Sequence, residues 1–194
     1  SEPEAGTHGR VLPVPRGKLL GGSSSINGLV HVRGQREDYE GWRQLGAVGW
    51  GYDDVLPYFR RAETQARGAD EFHGGDGPLP VSDQATHPLC DAFIDAADQT
   101  GHPRNPDFNG AVQEGAGYFQ TTSRAGRRAS TAVAYLNPAK RRKNLAVVTG
   151  AHVTRVVLEN GRATGVEWTR RGKRFHAGAR GEVVMSAGAI GTPQ

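Results

Sequence analysis

The chain has 194 residues, 36% of them hydrophobic and 23% charged, with a formal net charge of +4. That length suits one large domain or parts of two, and it contains no run of about 18 apolar residues to span a membrane. A single cysteine, Cys90, excludes an internal disulfide framework and any cysteine-based metal site. Lying in an apolar helical pattern, it reads as a packed thiol.

With 28 glycines and 11 prolines, much of the chain is turn and loop. The isoelectric point near 9.5 raises the question of an anionic partner. The basic residues are dispersed, however, apart from two Arg pairs and Lys140-Arg141-Arg142-Lys143. That cluster reads as a solvated helix end beside the negative pole of the macrodipole, so no nucleic-acid partner is expected. The opening Ser1-Glu2-Pro3-Glu4 has no signal-peptide pattern and no initiator Met. The chain is therefore expected to begin inside a longer protein.

Residues 1–16 read as loop with one extended piece at 11–14. The stretch 15–28 follows, carrying Gly17, Gly21, Gly22 and Gly28 with Ser23, Ser24 and Ser25. Glycines let a backbone turn tightly and approach a flat or charged ligand, and hydroxyls, Asn27 and free N–H groups can meet its polar atoms. A plain connecting loop has the same composition, and the stretch alone does not separate the two. Residues 29–32 suit a helix turn or a short strand.

Tyr39, Trp42 and Leu45 recur three apart, predicting a helix over 35–45 that Gly46 ends. Asp53 caps a second helix bearing Val55, Leu56 and Phe59, with Pro57 in its first turn. Residues 64–88 read as a long loop, a lid or simply mobile, with a short strand at 79–81. His73 and Asp76 within it read as turn chemistry. Pro88 opens a helix to Gln99 with Leu89, Phe93, Ile94 and Ala97 on its inner face, closed by Gly101.

Residues 117–122 read as a strand, and Ser130 caps a helix that Pro138 interrupts or kinks. Five short strands are expected at 145–148, 152–158, 163–168, 173–176 and 182–185, with Asn160-Gly161 as a hairpin turn. Ser186-Ala187-Gly188-Ala189-Ile190-Gly191 is a small-residue turn directly after a strand, where open α/β sheets place cofactors, although the turn alone favours a plain strand-to-helix connection.

These motifs stand together in one order. They are Arg16-Gly17-Lys18-Leu19-Leu20-Gly21-Gly22-Ser23-Ser24-Ser25-Ile26-Asn27-Gly28, Val32-Arg33-Gly34, Gly49-Trp50-Gly51-Tyr52-Asp53-Asp54-Val55-Leu56-Pro57, Asp107-Phe108-Asn109-Gly110, Arg127-Arg128-Ala129-Ser130 and the stretch 186–194. In this order the chain resembles the glucose-methanol-choline family of flavin oxidoreductases, in its choline dehydrogenase-like, bacterial alcohol dehydrogenase branch.

The resemblance implies a mixed α/β fold: part of a Rossmann-like FAD-binding domain (1–45 and 140–194) with an inserted substrate-binding or lid domain (46–139). It implies cofactor contacts at Gly21, Gly22, Ser23, Asn27, Gly28, Leu29 and Val30, at Val153 through its backbone, and at Ala187 and Gly188. Relatives with covalent FAD have a histidine where this chain has Ile26, which implies noncovalent FAD. The activity implied is oxidation of a primary alcohol to an aldehyde, with a quinone, dye or oxygen as electron acceptor, in the cytoplasm or at the inner membrane of a bacterium. The family's N-terminal GxGxxG is absent and its catalytic histidine would lie past Gln194. The resemblance therefore implies an internal fragment of little activity alone; a non-catalytic flavin-binding or scaffold module is the alternative.

Overall fold

The computed structural model describes residues 2–193. They divide into two compact units, Ser1–Arg142 and Lys143–Gln194, and helices and short strands are mixed in the chain.

In the first unit, α1 (Arg36–Gln44) forms where the aromatic spacing predicts it. Asp38 closes its start by accepting the Gln35 N–H at 2.8 Å, and Gly46, at φ +104°, supplies the left-handed residue that ends it. The second helix, α2 (Tyr52–Ala62), is capped differently from the expectation. Gly51 rather than Asp53 is the cap, and the Asp54 carboxylate takes the Gly51 N–H at 3.0 Å. Pro57 consequently lies inside the helix, where its missing N–H forfeits a backbone bond. The two helices meet through Tyr39, whose ring centroid lies 6.0 Å from Tyr52 and 5.8 Å from Phe59.

β1 (Glu63–Gln65) continues from α2 and pairs in parallel with β2 (Leu79–Val81). The connection between them is packed, not mobile. Gln65 N–H bonds Gly74 O at 2.8 Å and Gly77 N–H bonds Glu63 O at 2.9 Å. A Cβ at Gly74 would stand 1.7 Å from the Arg60 carbonyl oxygen, so only glycine lets this backbone lie on the end of α2.

Next, α3 (Pro88–Gln99) spans the residues expected of it, with His87 Nδ1 accepting the Leu89 N–H at 3.2 Å. Its inner face is narrower than the apolar pattern suggests. Ile94 is buried, whereas Leu89 and Phe93 are 75% and 73% exposed, and Cys90 is exposed rather than packed. Only the stripe that meets the rest of the unit is covered.

Residues 117–122 form no continuous strand. Instead Thr121 makes isolated bridges to both Val30 and Ser82, so the chain pairs as extended backbone at Val30 and is not helical there. The hairpin of β3 (Ser123–Arg124) and β4 (Arg127–Arg128) follows. Ser130 Oγ then accepts the Val133 N–H at 3.4 Å, opening a wide helical turn, Ala132–Leu136, that runs into α4 (Asn137–Ala139) with Pro138 near its start. Residues 140–143 are exposed, as expected.

The interior of this unit is unusual in kind. Among the described residues nine buried side chains are polar or charged and seven, with Pro80, are apolar, so polar pairing rather than an oily core organises it.

The second unit is an antiparallel meander of β5 (His152–Glu159), β6 (Arg162–Arg170) and β7 (Lys173–Gly178). Asn160-Gly161 turns the first hairpin with φ of +50° and +78°, and Arg171-Gly172 turns the second with +50° and +74°. These are the two positive values that a two-residue turn matching strand twist needs. Trp168 stacks on Phe175 across β6 and β7 at 5.7 Å. The strands expected at 145–148 and 182–185 have no ladder partner among the described residues. A short apolar run becomes a strand only when another backbone pairs with it. The unit ends in α5 (Gly188–Gly191). No helix among the described residues is long and apolar enough to cross a membrane.

Candidate functional site

The Gly-rich stretch folds into a tight turn stapled by its own side chains. Gly21 (φ +90°) and Gly22 (φ +53°) lead into a 3-10 turn, Gly22–Ser25. Ser23 Oγ accepts the Gly17 N–H at 3.2 Å, Ser24 Oγ donates to Gly21 O at 2.5 Å, and Ser25 Oγ donates to Leu20 O at 2.9 Å. Arg128 ties the turn to the β3–β4 hairpin by donating to Ser24 O at 3.0 Å and Asn27 Oδ1 at 2.8 Å. Asn27 Oδ1 also accepts the Leu29 N–H at 3.2 Å. The serine hydroxyls thus close the loop itself. What the turn offers outward is backbone and the Asn27 amide NH2.

Its glycines have different reasons. A Cβ at Gly17 would stand 2.2 Å from Gly22 O, and one at Gly21 would stand 2.4 Å from Ser25 Oγ. Gly22 needs its positive φ. Gly28 has neither constraint: its φ is not in the left-handed region and nothing lies within 4 Å of where its Cβ would be. Exposed Ile26 and Val30, at 49% and 51%, flank it. Leu29 takes φ +68°, re-aiming the chain as it enters the strand that bridges Thr121. An open backbone approach between apolar side chains fits a flat cofactor that carries polar edges.

Gly21, Gly22, Ser23, Asn27, Gly28, Leu29 and Val30 are therefore brought together in one turn and the strand leaving it. Val153, Ala187 and Gly188 belong to the second unit. Val153 is exposed on β5 opposite Trp168. Ala187 caps α5, its N–H donating to Thr192 Oγ1 at 2.8 Å, and Gly188 (φ +93°) starts that helix.

The strand leading from the turn ends in an ionic cluster that the sequence reading overlooked. Glu63, 1% exposed, receives Arg33 Nη2 on Oε2 at 2.6 Å, with His31 Nε2 3.1 Å from the same oxygen. Its Oε1 meets His73 Nδ1 at 2.6 Å, and His73 Nε2 reaches Asp107 Oδ2 at 2.9 Å. Arg33 also donates to Phe72 O at 2.8 Å and stacks its guanidinium over Phe59 at 5.1 Å. Arg33 Nε is buried with no hydrogen-bond partner. Asn109 spans the strand, accepting the Arg33 N–H at 2.7 Å and donating to His31 O at 3.0 Å.

The electrostatics follow from this geometry. Burial works to raise the Glu63 pKa, but hydrogen bonds from His31 and His73 and the charge of Arg33 overcome it and hold the carboxyl far below its ordinary range. Hydrogen bonds to Asp107 and Glu63 push His73 up to about 9 against the opposing effect of burial. The bond from His73 in turn lowers Asp107, again against burial. At neutral pH the cluster therefore holds Arg33 and His73 as cations against two carboxylates. His73 closes a turn with Asp70, whose Oδ1 accepts the His73 N–H at 2.7 Å, and its side chain is in addition a structural cation, while Asp76 is exposed. The signal in the sequence was the alternation Val30-His31-Val32-Arg33, which puts both basic residues on one side of an extended strand.

Arg128 also lines a groove of about 900 Å³, with Arg124, Arg127 and Arg142 around an apolar floor that includes Val133 and Pro80. No group of three or more metal-binding side chains exists among the described residues.

An oxygen-dependent choline dehydrogenase of Photobacterium profundum is 48% identical over 197 residues, covering 100% of this chain and 35% of that protein. The crystal structure of pyridoxine 4-oxidase from Mesorbium loti superposes on 92% of this chain and 36% of its own, with a TM-score of 0.86 and 36% identity. An FAD-dependent oxidoreductase from Chaetomium thermophilum covers 100% of this chain and 36% of its own, with a TM-score of 0.90 and 25% identity. The chain spans about a third of the length of these relatives. The family model described as GMC oxidoreductase matches residues 5–194, the same span over which the motifs run in order, and the chain belongs to the GMC oxidoreductase family.

Proposed function

We propose that this chain is part of an FAD-dependent oxidoreductase acting on a small-molecule primary alcohol, which it converts to an aldehyde. FAD, when bound, supplies the acceptor for the hydride leaving the alcohol carbon. The chain's own contribution is to bind and orient. In the turn through Gly21, Gly22, Ser23 and Asn27, the Gly22 and Asn27 N–H groups are spent on Leu19 O and Ser23 O, so the donors to an anionic diphosphate are the Gly21 and Ser23 backbone and the Asn27 side-chain amide. Gly28 and Val30 offer a flat apolar approach. Val153, Ala187 and Gly188 add contacts from the second unit. Residues 1–45 and 140–194 form the flavin part, and 46–139 contribute to the substrate pocket. A quinone, a dye or oxygen takes the electrons, and the site of action is the cytoplasm or the inner-membrane surface of a bacterium.

The observation that carries this reading is Gly28, a glycine that neither its own φ nor internal packing demands. Gly28→Ala is accordingly expected to leave the thermal midpoint within about 2 °C, the size of a few tenths of a kcal/mol. It should weaken FAD binding at least about tenfold, or 1.4 kcal/mol, by titration of flavin fluorescence. Unchanged affinity would count against the turn as a flavin site. Alcohol-dependent dye reduction, with choline and pyridoxine as probes, tests the reaction class.

Ile26 has no nucleophilic atom, so the cofactor is held noncovalently. Acid precipitation of the flavin-loaded protein should leave all the flavin in the supernatant. Flavin retained in the pellet overturns this.

A further inference from the structure

We infer that Glu63 is a positioning residue for the cofactor-facing strand: by holding His31 and Arg33 on its buried carboxylate, it turns Val30 and Val32 outward to the side where FAD binds. The inference rests on the flavin reading of the Gly-rich turn and extends it to a residue outside that turn.

Residues 29–33 have an inverted polarity. An ordinary surface strand buries its apolar side chains and exposes its polar ones. Here Arg33 is 7% exposed and the His31 side chain 16%, while Val30 and Val32 are 51% and 47% exposed. A one-residue slip would exchange these faces completely. The backbone bonds alone do not forbid that slip: Thr122 N–H to Leu29 O and His31 N–H to Gln120 O, both 2.9 Å, are only two ladder bonds, and this is no continuous sheet.

What forbids the slip is the single acceptor site. Both basic side chains, two residues apart, end on Oε2 of Glu63. Glu63 is itself fixed by His73 on its other oxygen, and His73 by Asp107. Asn109 and Gln113 read the same register from the backbone side, with Gln113 Nε2 donating to Arg33 O at 2.9 Å. A slipped strand would bury two valines against a carboxylate and strand its charge, a cost no two ladder bonds offset. Glu63 therefore acts on the cofactor through Val30, without touching it.

The test is a double-mutant cycle on FAD affinity. Glu63→Gln keeps the shape but removes the charge, and it should weaken FAD binding by about tenfold. Val30→Ala alone should weaken it a few-fold. Val30 is exposed and Glu63 buried, so if the two act on FAD independently their effects multiply. If Glu63 works by aiming Val30, the Val30→Ala effect disappears in the Glu63→Gln background.

His31→Ala, at a less buried position, repeats the cycle if Glu63→Gln does not fold; it should weaken binding a few-fold and likewise abolish the Val30→Ala effect. Folded variants with unchanged affinity, or effects that simply multiply, overturn the positioning role while leaving the flavin site intact. A wild-type protein that takes up no FAD overturns the flavin reading itself and this inference with it.

Discussion

Replacing Glu63 by alanine is expected to cost the first unit about 3–5 kcal/mol, the usual penalty for removing one partner from a buried ion cluster. The size follows from what the carboxylate leaves behind. Arg33 is 7% exposed with one nitrogen already unpaired, and His73 is 3% exposed between two carboxylates. Without Glu63, Arg33 keeps its charge with only the Phe72 carbonyl and the Phe59 ring to answer it. An exposed pair makes the natural control. Arg36–Asp53, 49% and 79% exposed at 3.0 Å, should cost far less when broken, because water screens it. Urea unfolding of both variants measures the difference, and a loss below 1 kcal/mol for Glu63→Ala would mean that the cluster is a passenger.

Stability should also fall as pH rises through about 9. His73 has its pKa raised in the folded state, from 6.5 to about 9, so its contribution is complete below the unfolded value and disappears as the folded group deprotonates. By linkage, such a shift is on the order of 3 kcal/mol. The groups facing His73 fix the sign: Glu63 and Asp107 bond it, and Arg60, Arg61 and Asp76 line the recess it borders. Glu63 and Asp107 are lowered instead. Their contribution is present above the ordinary carboxylate range and is lost on acidification. Thermal midpoints from pH 6 to 10 should therefore decline on the alkaline side, and His73→Gln should start lower and remain flat across that range. A parallel decline in the variant would assign the alkaline loss to other groups.

The sequence was most legible where local chemistry decides the structure. The spacing of Tyr39 and Trp42, Pro88 at a helix start and Asn160-Gly161 in a hairpin each act within a few residues, and α1, α3 and the β5–β6 turn stand where they were expected. The cap of the helix starting at Tyr52 stands two residues earlier than expected, at Gly51, because Asp54 closes the helix start from its third position and not as the cap, a choice only the folded geometry makes.

The apolar faces were least legible. Leu89 and Phe93 form a face with nothing over it in this unit, since periodicity names a face and not its partner. The Gly-rich turn was visible, but its division of labour was not. That the serines close the loop while Gly28 stays open depends on which carbonyls come within reach. The Glu63 cluster joins residues 31, 33, 63, 73 and 107, and no spacing rule connects positions so far apart. The alternation of His31 and Arg33 with Val30 and Val32 was its one local trace.

The polar interior has a consequence for heat. Unfolding apolar surface raises the heat capacity and unfolding polar surface lowers it. With nine buried polar or charged side chains against seven apolar ones, the first unit should gain less heat capacity per residue on melting than the roughly 12–15 cal/mol/K usual for globular domains. A smaller gain flattens the curve of stability against temperature. The free energy of charge hydration also becomes less favourable on warming, so the cost of keeping Arg33 and Glu63 out of water shrinks as temperature rises. Both effects spread the working range toward the warm side, a property that belongs to the ion cluster and not to any hydrophobic core.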